Sequence, residues 1–193
     1  MEKVNVFVAY MVPDVHSRDI EKVVDEVKEV FQPEGKDESF FHATLLFIGL
    51  VNIECLPFIQ KKMAETAREQ KPISMNIDSL GYFYNQKKRC IKVLFARPKN
   101  ISQNLSDLCM KLYKAIGEPL NDHAVPTIFP SRIHFTITKR LKNHLSKEDF
   151  DRKVCEIPSF SIPLTISGFG LYHCKDPGYR YYREIAYFDF AKG

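Results

Sequence analysis

Two short stretches carry side chains suited to acid–base work beside a phosphate: Phe40-Phe41-His42-Ala43-Thr44-Leu45-Leu46-Phe47-Ile48-Gly49 and Arg132-Ile133-His134-Phe135-Thr136-Ile137-Thr138-Lys139-Arg140. In each, threonine follows histidine by two positions and apolar residues alternate with the pair. In a strand, that period sets imidazole and hydroxyl on one face and apolar side chains on the other. Phe41, Ala43, Leu45 and Phe47 then oppose His42 and Thr44, and Ile133, Phe135 and Ile137 oppose His134, Thr136 and Thr138. An imidazole moves a proton near neutral pH, and a hydroxyl donates to an oxyanion. Basic side chains such as Lys139 and Arg140 attract phosphate.

The tripeptide alone is a weak signal. A third match, His144-Leu145-Ser146, lies in a polar stretch at the start of a helix with no alternating apolar neighbours, and is set aside as chance. A single strand histidine among apolar residues is more often structural, whereas two in matched contexts point to chemistry. His16, His123 and His173 fall in loops or beside a turn and read as structural or solvent-facing. No His-x-His, H-E-x-x-H or Cys pair supplies zinc ligands at close spacing, so neither a metal nor a cofactor is expected.

The elements that must position the pair follow in order. Val4–Val12 reads as a buried central strand stopped by Pro13. Ile20, Val23, Val24, Val27, Val30 and Phe31 mark an amphipathic helix closed by Pro33 and Gly35, before a polar loop and the first His-strand. A helix is expected over Cys55–Arg68 with Leu56, Ile59 and Met63 inward. A strand with an irregularity at Gly81 is expected over Ile73–Phe83, then a basic turn, Tyr84–Arg89, and a strand, Arg89–Phe95. Ile101 to Ile116 marks a long helix ended by Gly117 and Pro119. After the second His-strand, Ser146-x-x-Asp149 resembles a capping box. Ser159–Tyr172 and Tyr181–Phe190 read as a hairpin turning at Lys175–Gly178. Strand, amphipathic helix, loop, His-strand thus occurs twice, at about 4–50 and 89–140, within one domain spanning 1–193. The implied class is α+β: two pseudo-symmetric lobes of mostly antiparallel sheet flanked by helices, with the His-strands facing a shared groove between two small sheets.

Length and composition agree with one globular domain: 193 residues, 45% hydrophobic and 27% charged. A net charge of +4 suits an anionic ligand but falls well short of a dedicated duplex-DNA binder. Five cysteines without a C-x-x-C, and an N-terminal apolar run broken by Glu2, Lys3 and Asn5, point to a reducing, cytoplasmic compartment. No run reaches bilayer length, so no membrane partner is expected. Tyr10, the aromatic–basic run Tyr82-Phe83-Tyr84 with Lys87, Lys88 and Arg89, the Tyr179–Tyr182 cluster, and Lys139 and Arg140 are candidates for holding a nucleotide.

With a phosphodiester between His42 and His134, one imidazole takes a proton from the attacking hydroxyl and the other gives one to the leaving oxygen. Thr44 and Thr136 hydrogen-bond the non-bridging oxygens. At these residues the sequence resembles the 2H phosphoesterase superfamily, whose members carry two His-x-Thr/Ser motifs in duplicated lobes. Within it, the chain is most similar to the LigT-like branch, which includes RNA 2′,3′-cyclic phosphodiesterases and 2′,5′-phosphodiesterases of some viruses. The resemblance rests on Val6–Met11, His42-Ala43-Thr44-Leu45 and His134-Phe135-Thr136-Ile137, in that order, with Ile133 standing where bacterial members often have Pro. It implies metal-independent cleavage of phosphodiesters bearing a 2′ oxygen, with His42, Thr44, His134 and Thr136 as the catalytic set. The implied substrates are 2′,5′-oligoadenylates or cyclic dinucleotides with a 2′–5′ bond, handled by a monomer and in a role antagonising nucleotide-messenger immunity (in the host cytoplasm, if the source is viral). RNA end processing (opening 2′,3′-cyclic phosphates or joining ends through a 2′–5′ bond) and an inactive nucleotide- or RNA-binding module stand as alternatives.

Overall fold

Val4, Val6, Val8 and Tyr10 alternate with Phe7, Ala9 and Met11 along β1 (Lys3–Met11), and both sets are largely covered, as a central strand requires. Pro13 ends the strand and leads into α1 (Asp14–Phe31), which buries Ile20, Val23, Val24, Val27 and Phe31 in the same core as the even-numbered residues of β1. Gln32, left-handed at φ 46°, caps α1 by donating its N–H to the Lys28 carbonyl at 2.8 Å. Pro33 follows the cap, and Gly35 lies outside the described residues. The computed structural model describes residues 2–33, 41–87, 89–120, 133–138, 141, 145–174 and 182–191, without the side chains of 14–17 and 92.

The chain continues through β2 (His42–Asn52), α2 (Leu56–Arg68), β3 (Ile73–Ile77), β4 (Ser79–Asn85) and β5 (Cys90–Arg97). There follow α3 (Gln103–Leu112), α4 (Glu118–Leu120), β6 (Phe135–Thr138), α5 (Lys147–Val154), β7 (Ile162–Ile166), β8 (Gly168–Cys174) and β9 (Tyr182–Asp189). Seven strands form an antiparallel sheet in the order β4-β5-β6-β2-β1-β8-β9, and β3 pairs with β7 separately. The helices and the β3–β7 pair share one apolar core with one face of the large sheet. Its other face carries a smaller cluster of Phe7, Ala9, Tyr172 and Cys174, with Met11, Phe47 and Tyr182 packed against it.

The two lobes are β4-β5-β6 and β2-β1-β8-β9, and they are joined edge to edge at β2–β6 rather than standing as separate sheets around a groove. The expected strand Ile73–Phe83 is two strands, because each half pairs into a different sheet. At the break, the Asp78 N–H donates to the Arg97 carbonyl at 3.3 Å, and its carboxylate accepts the Lys99 N–H at 2.6 Å. Ser159–Tyr172 divides likewise into β7 and β8 around Ser167, whose carbonyl accepts the Phe190 N–H at 2.8 Å. Gly117 and Pro119 do not stop the third helix. A π-helical turn, Tyr113–Gly117, carries it on into α4, with Gly117 leaving room for the Tyr113 ring at 2.6 Å from where a Cβ would sit.

Two bulges in the β1–β2 pairing also break the strict alternation expected of β2. Leu45 and Leu46 are both buried in the main core, and Phe47 turns to the opposite face beside Phe7. The capping box forms as read: the Ser146 hydroxyl oxygen accepts the Asp149 N–H at 3.0 Å at the head of α5. From α5, Phe150 packs on Phe31 and Tyr82 at ring separations of 5.8 and 4.6 Å. Among the described residues no helix is long and apolar enough to cross a membrane.

Candidate active site

At the seam of the sheet, β2 and β6 run antiparallel with Ala43 paired to Phe135. One residue either way along that register, Thr44 lies opposite His134 and His42 opposite Thr136. Ala43 and Phe135 are buried in the main core, so the four flanking side chains share the other face, where all are half-buried. In such a ladder, directly opposed side chains lie about 5 Å apart and diagonal ones about 7–8 Å. The histidines occupy one diagonal of the block and the threonines the other.

Each imidazole sits in an aromatic corner built by its own lobe. His42 lies 5.5 Å from the Phe7 ring and 4.9 Å, edge-on, from Tyr182, and those two rings are 5.1 Å apart. His134 lies 4.9 Å, edge-on, from Phe83 and 4.8 Å from Phe95, with those two rings 4.7 Å apart. Rings on two sides restrict the rotamers of each imidazole, the kind of positioning that proton transfer requires. Glycine makes room for Phe95 in the His134 corner and, one ring beyond the His42 corner, for Tyr172. A Cβ on Gly81 would stand 2.4 Å from the Phe95 ring, and one on Gly170 would stand 2.5 Å from the Tyr172 ring.

Beyond the corners the lobes diverge in charge. Arg97 follows Phe95 by two positions on β5, on the same face, and is exposed. On the other side, Tyr172 packs 5.8 Å from Phe7 and donates its phenolic hydrogen to Glu184 Oε2 at 3.0 Å. Burial, and then the hydrogen bond to Glu184, push the Tyr172 phenol well above its ordinary range, so it remains a donor. A cavity of about 770 Å³ adjoins the block through Phe83 and Phe95, which line it together with Arg97, Lys99, Tyr82 and Lys147. Neither histidine lines it, and its floor belongs partly to the core face. The His/Thr block at the seam thus lies beside this cavity and not in its lining.

Of the residues singled out in the sequence, His42, Thr44, His134 and Thr136 come together. Tyr10 does not join them. It sits on the core face of β1, 1% exposed, donating to the Thr165 carbonyl at 3.3 Å, and burial followed by Tyr187 pushes its phenol up to about 12. Tyr82 also faces away from His134, against Phe150 on the helix side, because it alternates with Phe83 along β4. Lys139, Arg140, His123, His144 and residues 179–181 lie outside the described residues, as does the His16 side chain. Phe7, Phe83, Phe95, Tyr172 and Glu184 were not singled out one by one. The signal for Phe7 was present in the apolar odd-numbered side of β1, and Phe83 stood within the aromatic run.

The one-sheet, two-lobe fold with a His/Thr block at its seam is similar to that of solved phosphoesterases. Residues 12–91, which include the first His-x-Thr, match the family model for LigT like phosphoesterases, and the fold is similar to that of LigT. No curated protein sequence matches it. Among solved structures, Escherichia coli LigT in apo form superposes with a TM-score of 0.71 at 17% identity, covering 100% of both chains. TT0787 of Thermus thermophilus gives 0.71 at 23% identity over 96% of this chain and 97% of that one. Usb1 of Kluyveromyces marxianus gives 0.56 at 9% identity over 88% and 92%. Escherichia coli LigT has also been solved with 3′-AMP, TM-score 0.72 at 16% identity over 99% of this chain and 100% of that one.

Proposed function

We propose that this chain is a metal-independent phosphodiesterase that cleaves a 2′-linked phosphodiester in a small or cyclic nucleotide. The observation that carries the reading is the crossed-diagonal block. A phosphorus atom over its centre has an imidazole on each side along one diagonal and a hydroxyl on each side along the other. In-line displacement needs base and acid on opposite sides of phosphorus, and His42 and His134 supply them. Thr44 and Thr136 donate to the two non-bridging oxygens as charge builds there.

In a 2′–5′ linkage the neighbouring 3′-hydroxyl attacks phosphorus while one imidazole takes its proton. The P–O5′ bond breaks as the other imidazolium protonates the 5′ oxygen. The products are a 2′,3′-cyclic phosphate and a free 5′-hydroxyl, and the two histidines have exchanged protonation states. Water then opens the cyclic phosphate with the roles reversed. The two strand–helix–strand units at about 4–50 and 89–140 form a single domain that presents these residues from both sides. Substrates of this kind include 2′,5′-oligoadenylate and 2′–5′-bonded cyclic dinucleotides, and their removal would silence a nucleotide immune signal in the cytoplasm.

A second reading, opening of 2′,3′-cyclic phosphates at RNA ends, draws support from Escherichia coli LigT having been solved with 3′-AMP, a ribose monophosphate with a vicinal hydroxyl. Product analysis in excess chelator separates the readings, using 2′,5′-oligoadenylate, a 2′–5′-bonded cyclic dinucleotide and a 2′,3′-cyclic mononucleotide. The account expects turnover of the first two with a 2′,3′-cyclic intermediate, lowered at least about 10²- to 10⁴-fold by His42→Ala or His134→Ala in a folded protein. Turnover of the cyclic mononucleotide alone selects the second reading. Tight binding with no turnover of any of the three points instead to an idle binding module.

A further inference from the structure

The outer part of the His42 lobe carries a feature that phosphodiester cleavage alone does not use. On the open face of β8 and β9 the side chains at alternate positions are Gly168, Gly170, Tyr172 and Cys174, opposite Asp189, Tyr187, Glu184 and Tyr182. The two glycines leave the strand surface bare, and rings lie over it. The Tyr172 hydroxyl comes within 2.5 Å of where a Gly170 Cβ would be, and the Tyr187 hydroxyl within 2.6 Å of the Gly168 position. Phe7 and Tyr182 stand against His42 and Tyr172 packs on Phe7, but Phe7 and Tyr172 are only 3% exposed, so the ring this face offers at its outer end is Tyr187, 41% exposed. An exposed flat ring of this kind stacks a base whatever its identity.

Glu184 is exposed on the same face, between Tyr182 and Tyr187 along β9. A carboxylate in a groove that takes phosphodiesters repels the phosphate, so its place must be beside a part of the substrate that donates hydrogen bonds. It is suitably distant: β9 lies three strand spacings from β2, about 14 Å at the backbone. Side chains lean inward from there, and Tyr182 on the same strand reaches within 4.9 Å of His42. The Tyr172 hydroxyl holds Oε2 at 3.0 Å and orients the group, and a carboxylate keeps further lone pairs on both oxygens. The neutral, buried phenol is a donor only to this carboxylate and does not protonate it.

We infer that Glu184, held by Tyr172 beside the exposed Tyr187 ring, selects guanine for the nucleoside on the His42 side of the scissile phosphate. Guanine alone among the four bases presents two adjacent donors, N1–H and the N2 amino group, to a carboxylate. Adenine and cytosine offer one donor beside an acceptor, and uracil one donor between two acceptors, each of which meets carboxylate repulsion. The opposite lobe, with Phe83, Phe95 and exposed Arg97, offers no acceptor of this kind on its described strands and takes the more anionic end of the substrate. The inference rests on the phosphodiesterase reading and adds the base and direction of the substrate.

The test is equilibrium binding to the His134→Ala protein, which leaves substrate intact, with 2′–5′-linked GpG, IpI and ApA dinucleotides. GpG is expected to bind about tenfold or more tighter than ApA, with IpI, lacking the N2 amino group, in between. Glu184→Gln replaces one acceptor by a donor and matches adenine, so it is expected to reverse the order while ApA still binds. Tyr172→Phe is expected to narrow the preference without reversing it. Equal binding of GpG and ApA, or a guanine preference that survives Glu184→Gln, overturns the inference. Turnover by the wild-type chain is scored separately: cleavage without base preference removes only the guanine assignment. Preference without any cleavage removes the phosphodiesterase reading and leaves a guanine-reading binding module.

Discussion

The two lobes that meet at the β2–β6 seam are alike near the seam and unlike away from it. At the seam each supplies one histidine and one threonine, and each surrounds its imidazole with two rings: Phe7 and Tyr182 in one lobe, Phe83 and Phe95 in the other. Farther out, one lobe is tyrosine-rich with a carboxylate at Glu184, and the other presents Arg97. The likeness suits a reaction in which base and acid exchange roles between two steps. The divergence suits a substrate whose two ends differ, a base on one side and phosphate charge on the other. On the proposed reading, symmetric chemistry and asymmetric recognition lie at different distances from one seam.

Changes at the threonines test the likeness most severely. Thr44→Val and Thr136→Val each remove one donor to a non-bridging oxygen while keeping the strand's shape, and each should lower kcat about 10²-fold with little change in melting temperature. A loss confined to one of the two would show that only one lobe bears the developing charge. The glycines under the rings test the divergence. Gly81→Ala drives a Cβ into Phe95, which touches His134, whereas Gly170→Ala displaces Tyr172, which packs on Phe7, the ring beside His42. Each should cost about 1–3 kcal/mol in denaturant unfolding. Gly81→Ala should also depress kcat, and Gly170→Ala should chiefly raise KM.

The covered face of the sheet has its own signature. Tyr10 has an ordinary value of 10.0, and burial pushes it up to about 12, so the folded chain keeps that proton longer than the unfolded chain does. Its contribution is fully present below about pH 10 and is lost as pH rises from about 10 to about 12. Tyr172 and Tyr187, also shifted upward, add to the same alkaline loss. Stability measured by denaturant titration should fall across that window, and Tyr10→Phe should make the fall shallower. An unchanged slope in that variant would contradict the burial seen for Tyr10.

Local period made β1, α1, β2 and the His-x-Thr faces legible, because imidazole and hydroxyl had to share a side wherever the strand ran straight. Two things were not legible. The break at Asp78 and the one at Ser167 arise because adjacent strands join different sheets, a tertiary choice that the alternating residues on either side do not announce. The turn of Phe47 to the His42 face depends on bulges in pairing with β1, which again belong to the partner strand and not to β2 itself. Tyr10 illustrates the cost of reading an aromatic at a strand end as a surface residue. Its even-numbered position already assigned it to the side of Val4, Val6 and Val8, and that side is the core.

The central claim is that His42 and His134 divide base and acid duties across one phosphorus. It is tested most directly with adenosine 2′-(4-nitrophenyl phosphate), whose neighbouring 3′-hydroxyl must still be deprotonated but whose nitrophenolate leaves without a proton. Single-turnover release of nitrophenolate is compared for the wild-type chain, His42→Ala and His134→Ala in excess chelator. The account predicts that one variant recovers to within about tenfold of wild type, because only its acid is missing, while the other stays at least about 10²-fold down. Recovery of both variants, or of neither, would contradict a divided acid–base pair at the seam.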